Sequence, residues 1–288
     1  MVPPVIGELS ARWGLVEVGE PFPGRRSTFV TPVTDSLGQS LVLKVWRDTS
    51  WAVFEYRALA YWSGRGCVKP LAFDPEHGAI LEERVLPGLS LRRTDLSDAD
   101  ATMVFAELAA RLRSAEGERP DLPHIRTWLT RLEPRSLVNA PPELLDEMRL
   151  AGRIAEELLR SSREETVLHA DLHHKNLLRA DGNEWLAIDP KGIIGPPEAD
   201  AAAFLRNPRQ LLLEADDPEG LLHARTMTIA DQLGDAPDRV AGWAYVLGVL
   251  AAAWALEDGE GDNEVNKWLR CAVTLSGNYR RLVAQWRP

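Results

Sequence analysis

Over the first 85 or so residues, apolar and polar positions alternate in short runs, which is typical of half-buried β-strands. Strands are predicted at residues 13–18, 28–33, 41–46, 68–73 and 79–85. Between the third and fourth of these strands the apolar residues instead recur every three or four positions, which predicts a helix over residues 51–62. The first part of the chain is therefore predicted to be a sheet accompanied by one helix.

Pro87-Gly88 interrupts this pattern, and beyond it the chain is mostly helical. Ser97 and Asp100 give a capping-box signal before one helix, and Pro141-Pro142 precedes another that runs to about Leu159. Further strands are predicted at residues 166–169, 177–179 and 184–188, and helices from residue 197 onward. The pattern predicts a two-lobed α+β fold, with a small β-rich N-terminal lobe over residues 1–86 and a larger, mainly helical lobe over residues 87–288.

The composition is that of an ordinary globular protein, with 45% hydrophobic and 26% charged residues. The formal net charge of -10 argues against a general nucleic-acid binder, which needs a basic surface, and is compatible with a cationic or neutral substrate. Cys67 and Cys271 form no CxxC pair, so we expect unpaired thiols in a reducing cytoplasm. We expect no signal peptide, and we interpret the apolar run at residues 240–256 as a buried core helix rather than a membrane span.

The polar residues that suggest chemistry lie in the second β-rich segment. His169-Ala170-Asp171 follows one predicted strand, Asn176 lies five residues after Asp171, and Asp189 ends the next hairpin. Phosphoryl transfer needs one carboxylate that faces the attacking hydroxyl, together with a second carboxylate and a neutral oxygen that hold Mg²⁺. Asp171, Asp189 and Asn176 supply these three groups in that order, and the spacing from Asp171 to Asn176 is that of a kinase catalytic loop.

These residues also resemble a known family. The string from His169 to Asn176, followed by Asp189, resembles the aminoglycoside phosphotransferase family of kinase-like enzymes. Its continuation to Asn207 is similar to the streptomycin 6-kinase and hydroxyurea phosphotransferase branch of that family. The resemblance implies a two-lobed kinase-like fold and an ATP- and Mg²⁺-dependent kinase that phosphorylates a hydroxyl of streptomycin or a related aminoglycoside. It implies that Asp171 accepts the hydroxyl proton and that Asn176 and Asp189 bind the metal ion.

The resemblance further assigns residues that would bind the nucleotide. Lys44 matches the strand lysine that contacts the α- and β-phosphates, and Glu55 on the predicted helix matches its ion-pair partner. The segment at residues 81–84, followed by Pro87-Gly88 and Ser90-Leu91, resembles the family's hinge. The backbone from Glu82 through Glu83 to Val85 is therefore expected to bind adenine. Backbone amides together with Ser27 or Thr28 are expected to help hold the phosphates.

The sequence departs from protein kinases at several of these positions. The predicted phosphate loop, residues 22–28 between the first two strands, contains one glycine, Gly24, where protein kinases have three. Ala170 replaces the arginine of their catalytic loop, and Pro190-Lys191 replaces the phenylalanine that follows their metal-binding aspartate. Because that arginine is missing, a phosphorylated activation loop has no obvious partner. We therefore expect constitutive activity on a small molecule rather than on a protein.

Four other interpretations remain. The first is a kinase of the same family that acts on another metabolite, such as hydroxyurea or an amino alcohol. The second is a catalytically weak ATP-binding regulatory module, which the complete set of Asp171, Asn176 and Asp189 disfavours. The third is zinc hydrolysis, with candidate ligands at His169, Asp171, His173 and His174, although the other three histidines lack ligand spacing. The fourth is a phosphotransferase acting on protein, which the missing activation segment disfavours.

The remaining features have structural interpretations beside functional ones. Acidic segments at residues 214–219 and 257–262 would either bind a polycationic substrate or form solvated loops. The aromatic residues Trp243, Tyr245 and Trp254 are interpreted as core. We expect His169 to brace the catalytic loop through buried hydrogen bonds and Asp200 to be structural. We also expect a cytoplasmic monomer with no nucleic-acid or membrane partner.

Overall fold

The helices and strands follow the order that the apolar pattern predicts, with four additions. The computed structural model describes residues 3–23, 27–133, 137 and 140–286. The strands in these ranges are β1 Leu15–Val18, β2 Thr28–Asp35, β3 Ser40–Trp46, β4 Pro70–Asp74, β5 Ala79–Glu83, β6 Pro87–Ser90, β7 Thr166–Leu168, β8 Leu177–Ala180, β9 Trp185–Ala187 and β10 Ile193–Gly195. The helices are α1 Ile6–Trp13, α2 Thr49–Trp62, α3 Asp98–Arg113, α4 Arg126–Leu129, α5 Pro142–Arg160, α6 Ala201–Leu205, α7 Arg209–Glu214, α8 Pro218–Leu233, α9 Pro237–Glu257 and α10 Asp262–Trp286.

The first five strands form an antiparallel sheet in the order β1-β2-β3-β5-β4. On β3, Leu41, Leu43 and Val45 share one face and pack in an apolar cluster that includes Ile6 of α1. Lys44 lies on the opposite face because successive strand residues alternate sides. The sheet thus presents its apolar face to α1 and its lysine to α2.

Helix α2 begins at a defined cap. The Asp48 side chain accepts a hydrogen bond from the Ser50 N–H at 3.0 Å, a contact of a type that stabilises a helix start by about 1 kcal/mol. The helix ends at Trp62 and is capped by Ser63, which adopts a left-handed conformation with φ of 49°. Its buried side consists of Ala52, Glu55, Ala58, Leu59 and Trp62. This side brings the Glu55 carboxylate to Lys44 of β3.

The apolar pattern does not predict α1, β6, α4 or β10. The predicted strand at residues 13–18 is wrong at its start, because Trp13 ends α1 and Gly14 closes that helix with φ of 65°. β6 begins at Pro87, where the sequence predicts a break, and it pairs with β8 about ninety residues later. β10 pairs with β7. Local alternation does not reveal strands this short, because each depends on a distant partner.

The helical part of the molecule is built around α9. Its residues from Val240 to Ala253 are all buried, which confirms the predicted core helix. By length and composition α9 is able to cross a membrane, and 83% of its most apolar stretch is buried inside the protein. Trp243 and Tyr245 are fully buried, and Trp254 packs edge-to-face on Trp128 with 5.2 Å between ring centroids. The aromatic residues are therefore core, as predicted.

Both cysteines are free thiols buried in the protein, which confirms the prediction that they are unpaired. Burial raises the pKa of Cys67 to about 12 and that of Cys271 to about 11. Neither thiol is an effective nucleophile at neutral pH, because the thiolate is the reactive form.

Two small sheets position the loops that carry the polar residues. β6, β8 and β9 form one antiparallel sheet, and β7 and β10 form the other. The first loop, residues 169–176, connects β7 to β8, and the second, residues 188–192, connects β9 to β10. β7 pairs with β10, and β8 pairs with β9. The loop from β7 to β8 therefore lies beside the loop from β9 to β10.

Candidate active site

His169 joins the two loops. Its Nδ1 accepts a hydrogen bond from the Asp171 N–H at 3.3 Å, so its Nε2 carries the proton and donates to the Ile188 carbonyl at 3.0 Å. The ring is fully buried, and burial lowers the pKa of His169 to about 4, which keeps it neutral at physiological pH. This confirms that His169 braces the first loop through buried hydrogen bonds.

Asp200 holds the turn that leads to Asp171. One carboxylate oxygen accepts a hydrogen bond from the Ala170 N–H at 2.6 Å, and the other accepts one from the His169 N–H at 3.2 Å. Ala170 has φ of 63°, a left-handed conformation that residues with a Cβ seldom adopt. Asp200 is therefore structural, as predicted, because its two hydrogen bonds support this backbone conformation.

The Asp171 carboxylate is surrounded by nitrogen atoms and is still accessible. Lys191 Nζ and His173 Nε2 each lie 3.6 Å from one of its oxygens, and Arg206 Nη2 lies 4.0 Å away. Burial lowers the pKa of His173, so the charged groups nearest Asp171 are Lys191 and Arg206. The side chain keeps 17% of its surface exposed, which leaves room for a substrate group to approach.

Asp189 and Asn176 lie on the other side of the same cluster. Lys44 donates to Oδ1 of Asp189, and Lys191 Nζ lies 3.1 Å from Oδ2. Burial alone would raise the pKa of Asp189, but the two lysines outweigh it and hold that pKa well below its ordinary value. The Asn176 Nδ2 donates to the Asp171 carbonyl at 2.9 Å, which leaves the amide oxygen as the atom of Asn176 that can bind a metal ion.

Lys44 connects the sheet to the loops. Its Nζ lies 2.5 Å from Glu55 Oε1 and also contacts Asp189. The second Glu55 oxygen accepts a hydrogen bond from Trp46 Nε1 at 2.5 Å. Burial opposes the charge on Lys44, but the carboxylates of Asp189 and Glu55 outweigh it and raise the pKa of the lysine. Such a buried ion pair is favourable where further hydrogen bonds complete it, as they do here.

A second buried carboxyl lies near this ion pair. Glu82 of β5 faces the same side of the sheet as Lys44, because it pairs with Val42 on β3. Its Oε1 is buried and has no hydrogen-bond partner among the described residues. Burial raises the pKa of Glu82 to about 8, so the group is protonated at neutral pH.

Other predicted nucleotide-binding residues lie apart from this cluster. Ser27 is exposed at the turn before β2, and Gly24 lies outside the described residues. The Glu83 N–H donates to the Lys69 carbonyl, and Glu83 Oε1 accepts a hydrogen bond from the Lys69 N–H, so the backbone group of Glu83 that is left to contact adenine is its carbonyl. Val85 is buried just beyond β5. The assignment of these residues to the nucleotide stays a prediction.

Sequence reasoning assigned no role to three residues that the structure brings into the site. Lys191 follows Asp189 by two positions, and a basic residue so near a predicted metal ligand is a usable signal. Trp46 follows Lys44 by two positions and therefore shares its face of β3. Arg206 follows the end of α6, and its approach to Asp171 depends on tertiary packing that no local pattern reports.

The donor set suits Mg²⁺ rather than a metal held by protein alone. Among the residues that the structure describes, no three His, Cys, Asp or Glu side chains are grouped so that they could hold a metal ion. Mg²⁺ usually binds one or two protein carboxylates together with water and phosphate oxygens. Asp189 and the Asn176 amide oxygen match that requirement.

Sequence comparisons find kinases that align with most of the chain. The family model described as "Aminoglycoside/hydroxyurea antibiotic resistance kinase" matches residues 12–259. The streptomycin 3''-kinase of Klebsiella pneumoniae is 32% identical over 261 residues, covering 86% of this chain and 91% of the relative. The streptomycin 6-kinase of Streptomyces glaucescens is 32% identical over 268 residues, covering 90% of this chain and 84% of the relative. The hydroxyurea phosphotransferase of Kitasatospora aureofaciens is 32% identical over 267 residues, covering 90% of this chain and 74% of the relative.

Solved kinase structures share the architecture. Amicoumacin kinase hAmiN, in complex with AMP-PNP, Ca²⁺ and Ami, superposes with a TM-score of 0.69 at 15% identity and covers 94% of this chain and 92% of its own. Choline kinase LicA from Streptococcus pneumoniae gives a TM-score of 0.67 at 15% identity, with coverage of 95% and 98%. At this level of identity the likeness concerns the fold alone, and it confirms the predicted two-lobed, kinase-like α+β fold.

Proposed function

Because the chain belongs to the aminoglycoside/hydroxyurea antibiotic resistance kinase family, we propose that it transfers the γ-phosphoryl group of ATP to a hydroxyl of streptomycin or a related aminoglycoside. Small-molecule phosphotransfer is the chemistry of the family, and two relatives that align with most of the chain are streptomycin kinases. The observation that carries the proposal is the accessible carboxylate of Asp171, which lies in a cation-rich site beside a second aspartate, Asp189.

Asp171 is proposed to orient the acceptor hydroxyl and to take its proton. The hydroxyl oxygen forms a bond to the γ-phosphorus, and the bond from that phosphorus to the β,γ-bridging oxygen breaks. ADP leaves with the electron pair of the broken bond. The Asp171 carboxylate is available for this role because it is partly exposed and because Lys44 is engaged with Asp189 and Glu55 instead.

The nucleotide is proposed to lie between the lobes formed by residues 1–86 and 87–288. Lys44, held by Glu55, would contact the α- and β-phosphates. The Glu83 carbonyl and the Val85 N–H would bind adenine at the hinge, and Ser27 would lie over the phosphates. AMP-PNP bound to hAmiN, a kinase of the same fold, supports ATP as the donor.

Asp189 and Asn176 are the residues that would hold Mg²⁺. When bound, the ion supplies positive charge to the phosphate oxygens. Asn176 also links this side of the site to the proton acceptor, because its Nδ2 donates to the Asp171 carbonyl. A displacement of Asn176 is therefore expected to disturb both the metal ligand and the backbone that carries Asp171.

The acceptor is proposed to be cationic because the chain carries a formal net charge of -10, which favours the approach of a cation. Streptomycin carries guanidinium groups and satisfies this requirement. Since ATP is an intracellular donor, we propose a cytoplasmic enzyme, and we propose that it acts as a monomer.

Hydroxyurea is the second candidate acceptor. The hydroxyurea phosphotransferase of Kitasatospora aureofaciens matches as high a percentage of identical residues as the streptomycin kinases do, over 90% of this chain. The catalytic loops do not discriminate between the two acceptors, because substrate contacts in a family usually come from variable segments outside the shared motif.

The test is an acceptor screen with purified protein, ATP and Mg²⁺, in which ADP release is measured with streptomycin, hydroxyurea and choline. We expect streptomycin to give the largest acceptor-dependent rate, and ³¹P–¹H NMR of the product would locate the phosphate on the 3'' or the 6 hydroxyl. Acceptor-dependent ADP release with hydroxyurea alone would favour the second candidate. The absence of acceptor-dependent release with every compound would contradict the proposal.

A further inference from the structure

Lys191 bridges the two aspartates of the site. Its Nζ lies 3.1 Å from Asp189 Oδ2 and 3.6 Å from Asp171 Oδ2. The side chain keeps 15% of its surface exposed, and the ammonium lies 5.7 Å from the centroid of the Trp46 ring. A cation in this place lies between the proposed metal ligand and the proposed proton acceptor, which is where the transferred group must pass.

The backbone around Lys191 restricts where its side chain can go. The Lys191 N–H donates to the His169 carbonyl at 2.9 Å, which ties the second loop to the first. Asp189 has φ of 62° and Gly192 has φ of 59°, so the chain turns sharply on both sides of the lysine. The ammonium is thereby kept at the junction of the loops, unlike that of a surface lysine on a mobile stem.

The two lysines of the site differ in their other contacts. Lys44 is paired with Glu55 on α2, so much of its charge is already balanced by a carboxylate outside the loops. The carboxylates within 4 Å of Lys191, among the described residues, are Asp189 and Asp171. The contact with Asp171 is longer than a hydrogen bond, which leaves the ammonium able to contact another anion.

In the protein-kinase template, two Mg²⁺ ions held by an aspartate and an asparagine neutralise the charge on the transferred group. This chain offers the same two ligands and adds an ammonium beside them. We propose that Lys191 is a catalytic residue whose ammonium contacts an oxygen of the transferring γ-phosphoryl group. This inference rests on the proposed function of the site.

Lys191 keeps its proton throughout the step. The bond from the acceptor oxygen to the γ-phosphorus forms, the bond to the β,γ-bridging oxygen breaks, and the acceptor proton goes to Asp171. The ammonium stabilises charge on the peripheral γ-oxygens, so its contribution requires a γ-phosphoryl group and is absent with ADP.

The test compares Lys191→Met and Lys191→Arg with the wild type and with Lys267→Met, a control lysine paired with Glu264 on α10. Calorimetry with Mg²⁺ measures the affinity for AMP-PNP and for ADP, and thermal unfolding checks that each variant folds. We expect Lys191→Met to weaken AMP-PNP binding at least tenfold and to change ADP binding less than twofold. Lys191→Arg, which keeps the charge, should lose less, and Lys267→Met should match the wild type.

Equal changes in AMP-PNP and ADP affinity in Lys191→Met would overturn the assignment of Lys191 while leaving the proposed phosphotransfer intact. A wild type that binds neither nucleotide would overturn both.

Discussion

Gly192 lies so close to Phe54 that no side chain fits between them. A Cβ atom built on Gly192 would come within 2.3 Å of the Phe54 carbonyl oxygen. Phe54 precedes Glu55 on α2, and Gly192 follows Asp189 by three positions. The second loop is therefore packed directly on the backbone of the helix that supplies the partner of Lys44, and this contact sets the distance between the sheet and the loops.

Gly192→Ala is expected to impair both stability and nucleotide binding. The added methyl group meets backbone rather than a flexible side chain, so α2 or the loop must move, at a cost of about 1–3 kcal/mol. Such a movement separates Glu55 from Asp189, the two carboxylates that contact Lys44. It should therefore weaken Mg·ADP binding at least tenfold, as measured by calorimetry.

The matched control for this substitution is Gly182→Ala. Gly182 also has a left-handed φ, 70°, but a Cβ built there has no heavy atom within 4 Å. Both variants carry the same kind of backbone strain, but only the alanine at position 192 also collides with the Phe54 carbonyl oxygen. Similar nucleotide affinities in the two variants would show that contact with α2 is not what positions the site.

Asp171→Asn should abolish most turnover while nucleotide binding is retained. The amide has nearly the shape of the carboxylate but cannot accept the hydroxyl proton, and general-base catalysis contributes about 10²–10⁴-fold. We expect kcat to fall by roughly that factor and the ADP dissociation constant to change less than twofold. The control is Asp181→Asn, because Asp181 is exposed in the turn after β8. Wild-type turnover in the Asp171 variant would remove Asp171 from the mechanism.

Much of the fold is predictable from sequence because β2, β3, α2 and α9 carry strong local patterns. Strand alternation identifies β3, and the long apolar run identifies α9. β6 and β10 are not predictable in the same way, since each is only three or four residues long and depends on a partner strand far away in sequence. α1 is a short helix that precedes the first strand, and its last residue, Trp13, is equally compatible with a strand.

The candidate site likewise contains residues that the sequence predicts and residues that it does not predict. Asp171, Asn176 and Asp189 are predictable because a short motif places them in adjacent loops, and their catalytic and metal-binding roles stay predictions. Lys191 and Arg206 approach Asp171 only through tertiary packing, so their contacts do not follow from spacing alone. The buried state of Glu82 is likewise a property of the folded sheet.

Glu82 should make stability depend on pH in a defined direction. Burial raises its pKa from an ordinary value near 4.5 to about 8 in the folded protein. Between these values the folded state holds a proton that the unfolded state has released, so stability falls as pH rises, and it levels off above about pH 8. The stabilising contribution of the protonated group is therefore complete below pH 4.5 and is lost as the pH passes through the folded pKa.

Glu82→Gln replaces the buried acid with a neutral amide of similar shape. The melting temperature of this variant relative to the wild type should rise from pH 5 to pH 8 and then stay constant. The control is Glu76→Gln, because Glu76 is exposed in the turn between β4 and β5. A difference in melting temperature that does not change over this interval would show that Glu82 is ionised in the folded protein.

Asp98 and Arg225 provide the last prediction, which concerns the helical lobe. The Arg225 side chain is 1% exposed, and its guanidinium donates to both oxygens of Asp98 and to the Asn207 carbonyl. Asp98→Ala leaves that charge buried without its carboxylate, which costs about 3–5 kcal/mol. Asp95→Ala, at an exposed position before α3, should change the unfolding free energy by less than about 0.5 kcal/mol. Urea unfolding measures both variants, and equal midpoints in the two variants would mean that the pair adds nothing to stability.

Asp98→Ala should also lower turnover. Arg225 holds the carbonyl of Asn207, which is the residue after Arg206, so a displaced Arg225 disturbs the position from which Arg206 approaches Asp171.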